Sequence, residues 1–221
     1  MISKKSNLIV LMPPKTASNS LRVLFEQSGI IFFNDSTITN YPQIHLKLGE
    51  IINLYNISDL KKFKIIQIVR NPYERFVSSF FFQKKITPHY FTPNYMKYNL
   101  EEFSEHLVKS KKNENFIESF YGDSSFVNFS ISNGISWGGS RLYDTQLSWN
   151  DLGEEVSYFK LEEVSKSTES LSYFLKINLP TLPKINSQDL SANYTSLITP
   201  KVKEIILDLF NEDFETFGYE K

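Results

Sequence analysis

Residues 8–29 read "LIVLMPPKTASNSLRVLFEQSG". Leu8, Ile9, Val10, Leu11 and Met12 form an unbroken apolar run, the pattern of a strand buried on both faces. Two prolines end it. Leu21, Leu24 and Phe25 then recur at helical spacing, and Gly29 supplies a stop. Lys15, Thr16, Ser18, Asn19 and Ser20 stand at the junction, one cation and four small polar side chains at the mouth of a helix. Residues 64–80, "KIIQIVRNPYERFVSSF", repeat the layout. A strand runs to Arg70, Asn71 is a good N-cap, Pro72 suits the first helical turn, and Glu74 stands three residues after the cap. Phe76, Val77 and Phe80 face inward at helical spacing.

Working outward, residues 30–33 are expected as a short strand and residues 46–55 as a weakly periodic helix. Residues 86–99 are rich in Pro, Tyr and Asn and read as a loop. Helices are expected at 100–110 and 114–121, while 123–140 is Ser/Gly/Asn-rich and carries no period. Residues 156–161 read as a further strand, followed by a helix over 165–175. Thr199 and Pro200 open a last helix with Val202, Ile205, Ile206 and Leu209 on one face. Strands alternating with helices predict an α/β fold, a central parallel sheet flanked by helices, in a single domain spanning residues 1–221. A chain of 221 residues is long enough to bury a proper core.

Composition excludes several classes. The 24 basic and 25 acidic side chains leave a formal charge of −1, too little for a protein that binds nucleic acid generally, though not for one with a local basic pocket. There is no cysteine, which removes disulfides, thiol catalysis and thiolate metal sites. No apolar run is long enough for a membrane span, and the N-terminal stretch lacks the core and cleavage site of a signal peptide. A cytoplasmic location is the expectation. The 19 Phe and 12 Tyr are read as core filling.

In an open parallel sheet, ligands bind beyond the carboxyl ends of the strands, where both junctions fall. A helix N-terminus presents unpaired N–H groups and a partial positive charge, and phosphate or sulfate docks there. At the first junction Lys15 adds a full charge, and the hydroxyls and the Asn19 amide add donors. A plain N-cap would need only one hydroxyl. Residues 13–20 contain no glycine, so the junction is not the Gly-rich loop of the nucleoside triphosphatases. At the second junction a guanidinium at Arg70 can clasp a phosphate bidentately, with the hydroxyl of Ser78 on a remaining oxygen. Together the two junctions point to a ligand with phosphate groups at two separated positions.

"PPKTASNSL" resembles the 5′-phosphosulfate loop of the sulfotransferases that use 3′-phosphoadenosine 5′-phosphosulfate (PAPS), and "VRNPYERFVSSF" is similar to their 3′-phosphate element. "YFKLEEV", "LPKINSQ" and "DFETFGY" are similar to later elements of the carbohydrate-type members, the heparan-sulfate 2-O type and similar bacterial proteins among them. The resemblance implies a P-loop-like α/β domain with donor-binding elements at 8–29 and 64–82; residues 85–150 show little of it, and the acceptor is expected to bind there. It implies an O-sulfotransferase that passes a sulfuryl group from PAPS to a hydroxyl, the acceptor being a saccharide. Lys15 would contact the phosphosulfate bridge. Thr16, Ala17, Ser18, Asn19 and Ser20 would supply loop donors, and Arg70 and Ser78 would hold the 3′-phosphate. Ala17 stands where the family has Gly, and the loop backbone is therefore expected to be right-handed there.

An acceptor hydroxyl must lose a proton, which calls for a general base. His45 is the first candidate, in the region where carbohydrate 2-O members carry a histidine base, and Glu50 is the second. His89 is assigned to the acceptor, His106 to the surface and Glu162 to a structural place after its strand. Arg75 is expected on a solvated helix face. Arg141, Trp137, Tyr143 and Trp149 are acceptor-site candidates, although an aromatic residue is more often core. No His and carboxylate set has metal-ligand spacing, so no metal is implied. A kinase-like phosphotransferase and a non-catalytic nucleotide-binding module are the competing readings.

Overall fold

Leu8–Leu11 is the strand β2, paired antiparallel with a short β1 (Ile2–Ser3) and parallel with β3 (Lys64–Val69), which pairs parallel with β4 (Ser157–Lys160). The computed structural model describes residues 1–32, 45–90, 98–112, 144–185 and 194–221. These fall into two units, Met1–Arg70 with Gln146–Ser187, and Asn71–Thr145 with Gln188–Lys221.

The first unit holds the sheet, in the order β1-β2-β3-β4. Side chains alternate along β2. Leu8 and Val10 pack with Leu21, Leu24 and Phe25 of helix α1 (Ser18–Gln27), while Ile9 and Leu11 pack with Leu48, Ile51 and Tyr55 of α2 (Leu48–Tyr55). All four β2 side chains are buried, as expected for a strand covered on both faces. Each contributes roughly 1.5–3 kcal/mol relative to exposure. Leu161 and Val164 of α5 (Leu161–Val164) and Leu171 of α6 (Glu169–Leu175) complete the α1 side of the core. Helix α1 ends as its sequence predicts: Gly29 has φ 77°, and the Ile30 N–H reaches back to the Phe25 carbonyl at 2.9 Å.

Among its described residues the second unit is built on the helices α3 (Pro72–Tyr90), α4 (Leu100–Lys112) and α7 (Pro200–Phe217). Phe76, Phe80, Phe103, Leu107, Ile206, Phe210 and Phe214 form its core. Asn71 caps α3, its Oδ1 accepting from the Tyr73 N–H at 2.9 Å, and Thr199 caps α7 by accepting from Val202. Helix α7 breaks its regular geometry at Phe210 (φ −127°, ψ 24°).

Several expectations change. β1 was not anticipated, because two residues carry no periodicity; its only sign is the reversal that ends at Asn7, with φ 48°. Residues 30–32 are not a strand. Helix α3 runs through residues 86–90, where composition reads as loop, because a nucleated helix extends at one hydrogen bond per residue. The helix expected at 165–175 starts only at Glu169, and a separate short helix, α5, follows β4 directly. The helix expected at 114–121 and the segment 123–140 lie outside the described residues.

Candidate functional site

The junction after β2 is a tight, buried turn. The Thr16 hydroxyl and N–H both donate to the Pro13 carbonyl, at 2.7 and 3.3 Å, and the Thr16 side chain is fully buried. Lys15 and Ala17 have φ of 71° and 61°, with Thr16 between them on the negative side. The right-handed backbone expected at Ala17 is therefore corrected. Held by the Thr16–Pro13 bonds, the turn forces position 17 into the left-handed region despite a cost of roughly 1–2 kcal/mol for a residue with a Cβ. Strain of this kind persists only where the surroundings over-determine it, and it gathers at functional sites. Alternating hand along a chain also turns successive N–H groups toward one concavity, an arrangement that binds anions.

Ala17 is also the N-cap of α1, and no side-chain hydrogen bond caps that helix. A plain capped terminus is not what this junction contains. Ser18 is half-buried and Asn19 exposed at the helix mouth. Ser20 is buried, its Oγ accepting from the Ile185 N–H at 3.1 Å, so this hydroxyl ties a distant segment to α1.

β2 and β3 are parallel neighbours with Leu11 opposite Gln67, so the turn and Arg70 leave the same edge of the sheet. The Arg70 Nη1 donates to the Lys15 carbonyl at 3.2 Å. The structure thus brings the Arg70 guanidinium to the main chain of Lys15, the other cation that the sequence singled out. Gln146, which sequence reasoning missed, holds the Arg70 main chain. Its Oε1 accepts from the Arg70 N–H and its Nε2 donates to the Arg70 carbonyl, both at 2.8 Å. No spacing rule marks such a glutamine in advance.

His45 joins the same edge. Its Nδ1 lies 2.8 Å from the Met12 carbonyl. A carbonyl only accepts, so Nδ1 carries the proton and Nε2 of the neutral ring carries the lone pair. Glu50 has a different occupation: its carboxylate accepts from the Lys47 N–H at 2.7 Å, in the first turn of α2, where negative charge is favoured. Asp151 accepts from Gly49 at 2.8 Å and supports the same terminus.

Ser78 is buried on α3 in the second unit. Arg75 is not on a solvated face. It is 2 % exposed, its Nη1 donates to the Asp144 carbonyl at 3.0 Å and stands 3.8 Å from Oδ2 of the fully buried Asp213, and its guanidinium lies 5.2 Å from the Phe210 ring centre. The sign that was missed is Asp213 itself, a carboxylate on the apolar face of α7 between Phe210 and Phe217. His106 is half-buried against Tyr98 rather than on the surface, and burial pushes its pKa down to about 4. Trp149 is core, fully buried beside Leu48 and Ile51, and is corrected as an acceptor contact. Glu162 lies in the first turn of α5. Trp137, Arg141 and Tyr143 lie outside the described residues, as does the His89 side chain. Among the described residues no group of three or more His, Asp or Glu side chains is placed to hold a metal ion, and no helix is long and apolar enough to cross a membrane.

The model of the Sulfotransferase family matches residues 1–220. The chain belongs to the sulfotransferase family. No curated protein and no solved structure matches it significantly. As a sulfotransferase it is a transferase that moves a sulfuryl group from a sulfate donor to an acceptor, and its mostly parallel α/β sheet is consistent with the family's fold.

Proposed function

We propose that this sulfotransferase uses PAPS as donor and passes the sulfuryl group to a hydroxyl, in the manner of an EC 2.8.2 enzyme, with a carbohydrate as acceptor. The observation that carries the reading is the 3.2 Å bond from the Arg70 guanidinium to the Lys15 carbonyl, which sets both junctions at one edge of the sheet. The donor set suits a doubly phosphorylated nucleotide. The turn of alternating hand and the α1 terminus without a side-chain cap suit the 5′-phosphosulfate, and Arg70 suits the 3′-phosphate. The carbohydrate acceptor rests on the likeness of residues 158–164 to carbohydrate-type members.

The donor supplies an activated sulfuryl group, and the protein supplies position and charge. The Lys15 ammonium neutralises the charge that builds on the bridging oxygen as the sulfur–oxygen bond breaks. His45, fixed at Nδ1 by the Met12 carbonyl, takes the acceptor's hydroxyl proton on Nε2 as the acceptor oxygen bonds to sulfur. Glu50 is the second choice for that proton, since its carboxylate already serves as a helix cap.

Calorimetry with adenosine 3′,5′-bisphosphate tests the donor assignment. Binding is expected, stronger than that of ATP with Mg²⁺, and about tenfold or more weaker in Arg70→Ala. Preference for ATP with Mg²⁺, or unchanged affinity in the variant, overturns it. Transfer of radiolabelled sulfate tests the base: His45→Ala is expected to lose about 10²–10⁴-fold in rate, and full turnover removes His45 from the mechanism.

A further inference from the structure

The backbone of Arg70 lies just beyond the sheet. The β2–β3 ladder ends at Leu11 opposite Gln67, and the β3–β4 ladder ends at Val69 opposite Lys160, after which the chain turns into α5. A half-buried peptide group without a ladder partner still favours another donor and acceptor. A carboxamide presents one of each in a single plane, and the side chain of Gln146 meets the Arg70 N–H and C=O with both. Gln146 is itself fully buried and anchored to the same strand: Nε2 of the buried Gln67 donates to its carbonyl at 2.5 Å, and the Trp149 N–H donates there at 3.1 Å. Gln146 thus stands in for a strand at the last residue of the edge, on the residue whose guanidinium reaches Lys15.

We infer that Gln146 is a positioning residue for recognition of the donor's 3′-phosphate: by fixing the Arg70 main chain it aims the guanidinium. The inference rests on the assignment of Arg70 under the proposed function. Its mark is selectivity rather than general affinity. Adenosine 3′,5′-bisphosphate and adenosine 5′-monophosphate differ only in the 3′-phosphate, so the ratio of their affinities isolates that contact, and a purely structural role would weaken both nucleotides alike.

The ratio is measured by calorimetry on the full chain for wild type, Arg70→Ala, Gln146→Met, Gln146→Glu and the double variant Arg70→Ala/Gln146→Met. Gln146→Met keeps the length and removes both hydrogen bonds. It is expected to lower the ratio about fivefold to tenfold while monophosphate affinity stays near wild type. Gln146→Glu, which keeps the acceptor for the Arg70 N–H, is expected to fall between. In the Arg70→Ala background Gln146→Met is expected to have no further effect. If Arg70→Ala lowers the ratio but Gln146→Met leaves it unchanged, or weakens both nucleotides equally, the role of Gln146 is overturned and the donor assignment stands. If Arg70→Ala leaves the ratio unchanged, the assignment of Arg70 fails and the role of Gln146 fails with it. Should Gln146→Met not fold, Gln146→Glu decides by the same ratio.

Discussion

Removing the carboxylate of Asp213 is expected to cost more stability than any comparable change on the surface. Asp213 is fully buried, and Arg75, its partner at 3.8 Å, is 2 % exposed. Burial lowers the Arg75 pKa from its ordinary value, and the charges of Asp213 and Asp144 raise it in return. Taking two charges out of water costs several kcal/mol each, which the attraction across 3.8 Å has first to offset. Breaking it is another matter. Asp213→Asn keeps the shape but leaves a buried cation, at a cost of about 3–5 kcal/mol. For a chain of this length that corresponds to a fall in Tm of roughly 6–20 °C. The double variant Arg75→Met/Asp213→Leu, which removes both charges and keeps the volume, is expected to return close to wild type or above it. Thermal denaturation followed by far-UV circular dichroism measures all three. A loss under about 1 kcal/mol in Asp213→Asn, or a double variant as unstable as Asp213→Asn, refutes the account.

Lys15→Ala is expected to reduce turnover about 10²–10³-fold with Tm unchanged, because under the proposed function its side chain acts on developing charge; near-normal turnover in a sulfate-transfer assay would contradict this. Ala17→Gly relieves a left-handed alanine but adds freedom to the unfolded chain, for a net gain of about 0.5–1 kcal/mol, and a lowered Tm would show that the strain is not there. His106 is expected to titrate near pH 4, readable by proton NMR in a chain with only three histidines. Its folded pKa is depressed, so the unfolded chain binds the extra proton between about pH 4 and 6.5; the stabilisation is complete above that window and is lost as pH falls through it. His106→Gln should flatten stability across this range, and an NMR midpoint near 6.5 would refute the shift.

The two parallel strands that carry the site were legible because each is an apolar run closed by prolines or by an Asn-Pro pair, a signal that is local in the chain. β1 was not, since a two-residue strand exists only through its partner. Asn71 and Thr199 announced their helices because capping is chemistry between near neighbours. Arg75 was misplaced for the opposite reason: charged residues default to solvent, and its partners Asp144 and Asp213 are far along the chain. Ala17 was misread because residue type favours right-handed backbone, while the Thr16–Pro13 turn decides otherwise. That the turn carrying Lys15 and Arg70 leave one edge of the sheet was legible in the two strand-to-helix junctions, but the glutamine that holds Arg70 belongs to a segment with no recurring pattern.

The order in which the chain visits its two units has a consequence for synthesis. The first unit uses residues 1–70 and 146–187, the second residues 71–145 and 188–221, so each waits for a later piece of the other's sequence to emerge. On the ribosome, β3 spends the translation of the whole intervening stretch without β4 beside it, a bare apolar ribbon open to the wrong neighbour. Slow translation would not help such a chain as it helps one whose domains follow in turn. Cooler expression and chaperones that shield an unfinished sheet should raise the yield of soluble enzyme more than any change at the helix surfaces.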